Sequence, residues 1–173
     1  MLFSGLLSVT FRRFGAAEIV AWSREAGLAG IEWGGDVHVP HGQVALAREV
    51  AARTRDAGLR VSAYGSYYRA GFSEAGGLAF DRVLESAIAL GAPVVRVWAG
   101  VTGSAEATPS VRDTVVGDLR RIADLAAGAG VTVATEWHGG TLTDTAESTL
   151  RLLAEVGGAK LQSFWQPRLG VTA

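Results

Sequence analysis

AAGAGVTVATEW, residues 126–137, passes from small helix-forming residues through Gly130 into a short β-rich run that ends on a carboxylate and an indole. Four other stretches repeat the passage: SREAGLAGIEW (23–33), TRDAGLRVSAY (54–64), AIALGAPVVRVW (87–98) and LAEVGGAKLQSFW (153–165). In each, one glycine (Gly27, Gly58, Gly91, Gly130, Gly157) stands where a helix must end. A residue without Cβ closes the last turn in the left-handed conformation at no steric cost. Recurrence at roughly thirty-residue spacing marks successive strand–helix units.

The segments between carry the matching helical period. Phe80, Val83, Leu84, Ala87 and Ile88 fall at i, i+3, i+4, i+7 and i+8, and Val115, Leu119, Ile122 and Ala126 form a second stripe. Ser110 with Asp113 and Asp144 with Glu147 have the spacing of N-terminal capping pairs. Strands are therefore expected at 2–9, 29–33, 59–64, 93–98, 131–136 and 160–165, and helices at 16–26, 42–57, 76–90, 110–128 and 145–156. Strands joined by single helices run parallel with right-handed crossovers, in either a doubly wound sheet or a barrel. Alternation favours the barrel. Central strands of a doubly wound sheet are near-continuous apolar runs, whereas Glu32, Tyr64, Arg96 and Glu136 interrupt these at one phase, which suits a barrel lumen at its catalytic end. The expected fold is α/β: a parallel (β/α) barrel of TIM type, incomplete, with about six strands and five helices, forming a single partial domain over residues 1–173.

At 49% hydrophobic and 19% charged, 173 residues suffice for one real core. Sixteen basic and seventeen acidic residues give a net charge of −1 with no run of like charge, so the electrostatic footprint of a nucleic-acid binder is missing. The absence of cysteine removes disulfides, thiolate metal sites and cysteine nucleophiles, and a cytoplasmic setting is the default expectation. No stretch approaches the ~18 consecutive apolar residues of a membrane span. The basic pair Arg12-Arg13 follows the apolar start, where a signal peptide would have it precede. Serine-elbow, P-loop and dinucleotide motifs are also missing.

The rare reactive side chains sit at strand ends. Glu136 at the tip of 131–136 can bind a hard cation or take a proton beside a carbonyl; the alternative is a buried ion pair with Arg96. His38, on the loop Gly34-Gly35-Asp36-Val37-His38-Val39-Pro40-His41, is a candidate substrate hydrogen-bonding group, and His41 is expected to cap a helix or face solvent. Tyr64 and Arg69 suit sugar stacking and anion binding, while Tyr67 and Tyr68 are expected to pack over the third helix. Gln166 can offer a neutral oxygen to a metal or a hydroxyl. Trp98 and His138 complete the rim.

Through G-I-E-W-G-G-D-x-H after the second strand, R-V-W-A-G at the fourth, E-W-H at the fifth and F-W-Q-P at the sixth, the chain resembles the xylose isomerase-like barrel superfamily, the sugar phosphate isomerases and epimerases. The resemblance implies metal-assisted proton transfer next to a sugar carbonyl. Glu136 would be metal ligand and catalytic carboxylate, Gln166 a second ligand, and His38, Tyr64, Arg69, Trp98 and His138 the substrate pocket. It further implies a divalent metal (Mn, Co, Mg or Zn) and a sugar or sugar phosphate as the small-molecule partner. Family members usually present an aspartate at the sixth tip and a histidine three residues on, where this chain has Gln166 and Leu169. A complete barrel has eight strands and about 250 residues, so six leave edges that invite homo-oligomeric or other association. The competing expectation is a catalytically inactive barrel fragment that binds a small polyol or associates with another subunit.

Overall fold

All five helix-ending glycines take positive φ, from 67° at Gly27 to 105° at Gly157. The computed structural model describes residues 2–157 and 161–166, so the expected strand start at 160 and Leu169 lie outside the described residues. The order is β1 (Gly5–Leu7), a 3-10 turn (Ser8–Phe11), α1 (Ala16–Glu25), β2 (Gly30–Gly34), α2 (Val44–Asp56), β3 (Arg60–Arg69), α3 (Phe80–Leu90), β4 (Val94–Trp98), α4 (Pro109–Gly128), β5 (Thr132–Glu136), α5 (Ala146–Val156) and β6 (Leu161–Phe164). The strands form one sheet in sequence order. Each strand neighbours its predecessor, without the reversal of a doubly wound sheet, so the winding is that of a TIM-type barrel, with six strands among the described residues where a full barrel has eight. No helix among the described residues is long and apolar enough to cross a membrane.

The chain divides into two compact units, Met1–Ser66 with Asp81–Val95, and Tyr67–Phe80 with Arg96–Ala173. In the first, β1 pairs with β2 (Gly5 opposite Gly30), and β2 with β3 through a register shift between Ile31 and Glu32. The first strand is shorter than expected. At Ser8 the backbone turns into the 3-10 conformation and the buried serine Oγ accepts from Gly34 N at 2.9 Å, taking over the role of the next backbone pair. Every residue of β2 is buried. Its Trp33 is fully enclosed, with the indole N–H donating to Thr54 Oγ1 on α2 at 3.2 Å, which in turn donates to Val50 O at 2.7 Å. The stripe on α3 buries Val83, Leu84 and Ala87, but Ile88 is 52% exposed. Eight residues at 100° each place Ile88 about 80° round from the stripe's first member, at the border of the buried face.

In the second unit, Val115, Leu119, Ile122 and Ala126 of α4 are fully buried, as their spacing requires. Enclosing Leu119 and Ile122 contributes about 2 kcal/mol each. Both expected capping pairs are displaced by neighbouring threonines. Thr108 caps α4, accepting from Val111 N, with Pro109 in the first turn, where its missing N–H costs nothing; Thr145 caps α5, accepting from Ser148 N. Asp144 instead accepts from Ser104 N at 2.9 Å. Strand β5 pairs with β6, Glu136 opposite Phe164.

β3 runs past Tyr64 to Arg69, where a loop was expected, with Tyr67 at φ 56° inside it. Beyond it, residues 70–79 are clamped to α4: Asp118 Oδ2 accepts from Tyr68 OH at 2.9 Å and from Gly71 N at 2.7 Å, and Arg121 joins Asp118 to Glu74. Tyr68 packs edge-to-face on Phe80 at the start of α3, as expected of it. Gly71 has φ +80, and a Cβ there would lie 3.1 Å from Thr114 Cγ2 and 3.4 Å from α4 backbone, whereas Gly77 has φ +84 and open space. Gly77→Ala is expected to cost about 1–2 kcal/mol from the left-handed backbone alone, and Gly71→Ala more. Urea denaturation of the two variants checks this, and equal losses would contradict the clamp.

Candidate functional site

Glu136 ends β5 with its carboxylate buried and engaged on both oxygens. Oε2 accepts from the Arg96 guanidinium and from Trp98 Nε1 at 2.6 Å, while Oε1 accepts from Gln166 Nε2 at 2.5 Å. Arg96 and Trp98 are two residues apart on β4 and so share a face. Gln166, two residues past β6, also donates to Trp137 O at 2.9 Å. Two acceptors around one nitrogen fix the amide orientation, because the flipped amide would set oxygen against oxygen. The buried ion pair weighed as the alternative role for Glu136 is present: the Arg96 and Glu136 side chains are 4% and 9% exposed.

The indole held by Glu136 holds a histidine in turn. His138 stacks on Trp98 with ring centroids 4.2 Å apart and planes 26° apart. Its Nδ1 lies 2.7 Å from Gly139 O. A carbonyl only accepts, so Nδ1 carries a proton, and in the neutral imidazole the lone pair is then on Nε2. The loop beyond is fixed by side-chain bonds from Thr141 Oγ1 to His138 O at 2.8 Å, from Thr143 Oγ1 to Glu136 O at 2.5 Å, between the two hydroxyls at 3.0 Å and from Thr143 N to Thr141 Oγ1 at 3.2 Å, and by Leu142 N to Ala99 O at 2.9 Å. The Arg69 guanidinium lies over the Trp98 ring, 5.1 Å from its centroid. Tyr67, the sole non-glycine residue with positive φ (56°) among those described, turns its ring edge to Trp98 at 5.9 Å and its face to Arg96 at 5.4 Å.

Arg69, Trp98, His138 and Thr141 line a cleft of about 220 Å³, together with Gly100, Val101, Gly139 and Gly140. Five sequence-derived candidates of this unit, Arg69, Trp98, Glu136, His138 and Gln166, are thus connected. Gly100, Val101 and Thr141 were not anticipated; they are loop residues of ordinary type, and the Thr141 bond to the His138 carbonyl has no sequence signal.

The other unit holds His38 and Tyr64. His38 is buried, edge-on to Trp33 at 5.9 Å, and its Nε2 donates to Phe14 O at 3.2 Å. Its Nδ1 is buried without a partner. Tyr64 is fully buried, its hydroxyl 2.7 Å from both Val39 O and His41 Nδ1. Burial pushes the Tyr64 phenol pKa up. His41, expected to cap a helix or face solvent, is instead drawn into this contact, and its pKa is lowered by burial, partly offset by a hydrogen bond to the Ser66 backbone. Gly35 makes the packing possible, since a Cβ there would fall 2.6 Å from the His41 ring and 2.7 Å from Tyr64 OH.

A divalent cation needs several anionic or neutral oxygen or nitrogen donors around one point. Here Glu136 already accepts from three donors, one a cation, and Gln166 turns N–H groups toward it. No three of His, Cys, Asp and Glu are grouped as metal ligands among the described residues. This donor set does not fit a divalent cation. Its electrostatics are those of a closed ion pair, and removing one partner of such a pair costs about 3–5 kcal/mol. Glu136→Gln is expected to destabilise the chain by about 3 kcal/mol in urea denaturation, and Arg96→Met combined with Glu136→Gln by less than the two single changes added. Additive losses would show that the pair is not coupled.

Comparison with known proteins agrees with the winding. A family model described as xylose isomerase-like TIM barrel matches residues 20–164. A 3-dehydroshikimate dehydratase of Bacillus anthracis is 30% identical over 173 residues, covering 91% of this chain and 59% of the relative. The crystal structure of the probable 3-DHS dehydratase involved in petrobactin synthesis, also from Bacillus anthracis, superposes with a TM-score of 0.80 at 28% identity, over 94% of this chain and 62% of that one. A xylose isomerase-like barrel protein from Mycobacterium smegmatis, in complex with magnesium, gives a TM-score of 0.74 at 19% identity over 97% of this chain and 65% of that one, a likeness of fold alone. This chain spans about three fifths of the length of the dehydratase relatives. It belongs to the xylose isomerase-like TIM barrel family.

Proposed function

We propose that this chain is an enzyme-class domain that moves a proton at the carbon next to a carbonyl of a small polyhydroxylated molecule. The observation that carries the reading is His138, stacked on Trp98 beside the cleft with Nδ1 donating to Gly139 O, so that Nε2 holds the lone pair a general base needs. In this reading Nε2 takes the α-proton and leaves an enolate. The imidazolium then returns the proton. Delivery to a departing β-hydroxyl releases water, as in a dehydratase; delivery to carbon or to the carbonyl oxygen gives the epimerase or isomerase outcome that the family resemblance suggests. Similarity to a 3-dehydroshikimate dehydratase at 30% identity favours elimination. Glu136 is a positioning residue here: it holds the Trp98 indole, and the indole holds the imidazole.

The test is solvent deuterium exchange and water loss, with 3-dehydroshikimate as the probe substrate and the aromatic product followed by absorbance. His138→Asn is expected to lower the rate at least about a hundredfold while the fold is retained. An unchanged rate removes His138 as the base. Exchange without water loss selects the epimerase or isomerase outcome. A polyol that binds without any exchange supports the competing view of an inactive barrel that acts as a binder. Elemental analysis after dialysis is expected to find well under one metal ion per chain. Stoichiometric Mn, Co, Mg or Zn would mean that the Gln166 amide and Arg96 move aside for a cation.

A further inference from the structure

The loop between β2 and α2 is fastened within the first unit by one phenol and one imidazole. Tyr64 of β3 is fully buried, and its hydroxyl meets both Val39 O and His41 Nδ1 at 2.7 Å. The His41 ring stands edge-on to the Tyr64 ring, with centroids 5.7 Å apart and planes 85° apart. From α3, Ser86 Oγ accepts from Gly42 N at 2.8 Å, and Arg82 Nη2 donates to His41 O at 3.4 Å. A Cβ on Gly35 would lie 2.6 Å from the His41 ring, so backbone covers that side of the imidazole.

Of these groups only His41 changes charge near neutral pH. Burial pushes the Tyr64 phenol up, so its hydroxyl keeps its proton. The groups facing the imidazole are few. Tyr64 on β3 is neutral, Arg82 on α3 is a cation, and Asp36 on the loop itself is paired with Arg12. An imidazolium here gains a hydrogen bond to the Ser66 backbone and the pull of Asp36, but it loses its hydration and meets the repulsion of Arg82. Burial is the largest of these effects, and it holds the His41 pKa below its ordinary value of about 6.5. A charge that burial excludes either gives up its proton or moves to water. His41 is half-buried, so its ring has a short way out, and Val39 O keeps the Tyr64 hydroxyl when the ring leaves.

We propose that His41 is a proton-operated latch: the neutral ring closes the β2–α2 loop on Tyr64, and protonation sends the ring to solvent and loosens residues 35–42. The same loop carries His38, whose Nδ1 is buried without a partner and whose Nε2 donates to Phe14 O at 3.2 Å. Release of the latch in mild acid opens that second imidazole to water. The closed loop binds fewer protons than the open one, so closure is fully favoured above about pH 6.5 and loses ground as the pH falls below it. A closed ring that excludes the proton and an open ring at about 6.5 make opening up to about tenfold more favourable at about pH 5.5 than at about pH 7.5.

NMR titration of the histidine rings, combined with hydrogen–deuterium exchange, tests the latch on the intact chain. The His41 midpoint is expected below about 6.5. Amide exchange across residues 35–42, corrected for its intrinsic pH dependence, is expected to rise several-fold, up to about tenfold, over the same range, while α4 around Leu119 and Ile122 stays protected. His41→Gln, which takes up no proton, is expected to abolish the rise. Arg82→Gln, at an exposed position, removes the facing cation and is expected to move the His41 midpoint up. A His41 midpoint at or above about 6.5, or loop exchange indifferent to pH, overturns the proposal, and both are read on the unaltered chain. A rise that survives in His41→Gln overturns it too, as does a rise shared equally by α4, which is general loosening in acid.

Discussion

The buried carboxylate of Glu136 organises the second unit. Arg96, Trp98 and Gln166 reach it from the ends of β4 and β6, and its own backbone carbonyl receives the Thr143 hydroxyl. A charge this enclosed is stable only when paired and fully hydrogen-bonded, and that requirement fixes three strand tips relative to one another. The indole N–H is consumed by the carboxylate, so the Trp98 ring cannot turn, and a fixed indole is what allows His138 to stack at 4.2 Å. One electrostatic constraint therefore sets the orientation of the imidazole.

The surrounding loops are fixed by short polar side chains acting on backbone, which differs from the apolar packing of α4 against the strands. Thr141 and Thr143 tie the loop after β5 to the carbonyls of His138 and Glu136. On the other side of the same unit, Asp118 and Arg121 hold the segment after β3, and with it the approach of Arg69, against α4. Loops held this way keep their geometry without a large apolar core of their own, as precise placement of a site on strand ends requires.

Periodic features of the fold were legible in the sequence, and side-chain-to-backbone substitutions were not. The glycine after each helix, the α4 stripe and the parallel winding follow from spacing alone. The early end of β1 goes with Ser8 supplying an oxygen to Gly34 N, and β3 continues to Arg69 with Tyr67 at φ 56° inside it; neither has a periodic signal. The capping pairs failed for a similar reason: the helices start at Thr108 and Thr145, which take Val111 N and Ser148 N, so the starts that Ser110 and Asp144 would have capped are displaced by two residues and one. For the site, residue type and strand-end position singled out Arg69, Trp98, Glu136 and His138. The partner of each was beyond reach, because whether Glu136 faces Arg96 or a cation depends on where Arg96 and Gln166 point.

Two arginines on adjacent strands, Arg96 within β4 and Arg69 at the end of β3, carry the same charge in opposite settings. Arg96 is 4% exposed and spends its charge on Glu136, so together they present no net charge to the cleft. Arg69 is exposed, bound through its face to an aromatic ring, and keeps its donors unspent. Since screened surface charges act over about 8–10 Å, a small molecule entering the cleft meets the Arg69 charge directly and the Glu136 charge only as a neutralised pair. One unit thus keeps a closed pair beneath the cleft, where burial demands pairing, and an open cation beside it, where exposure does not.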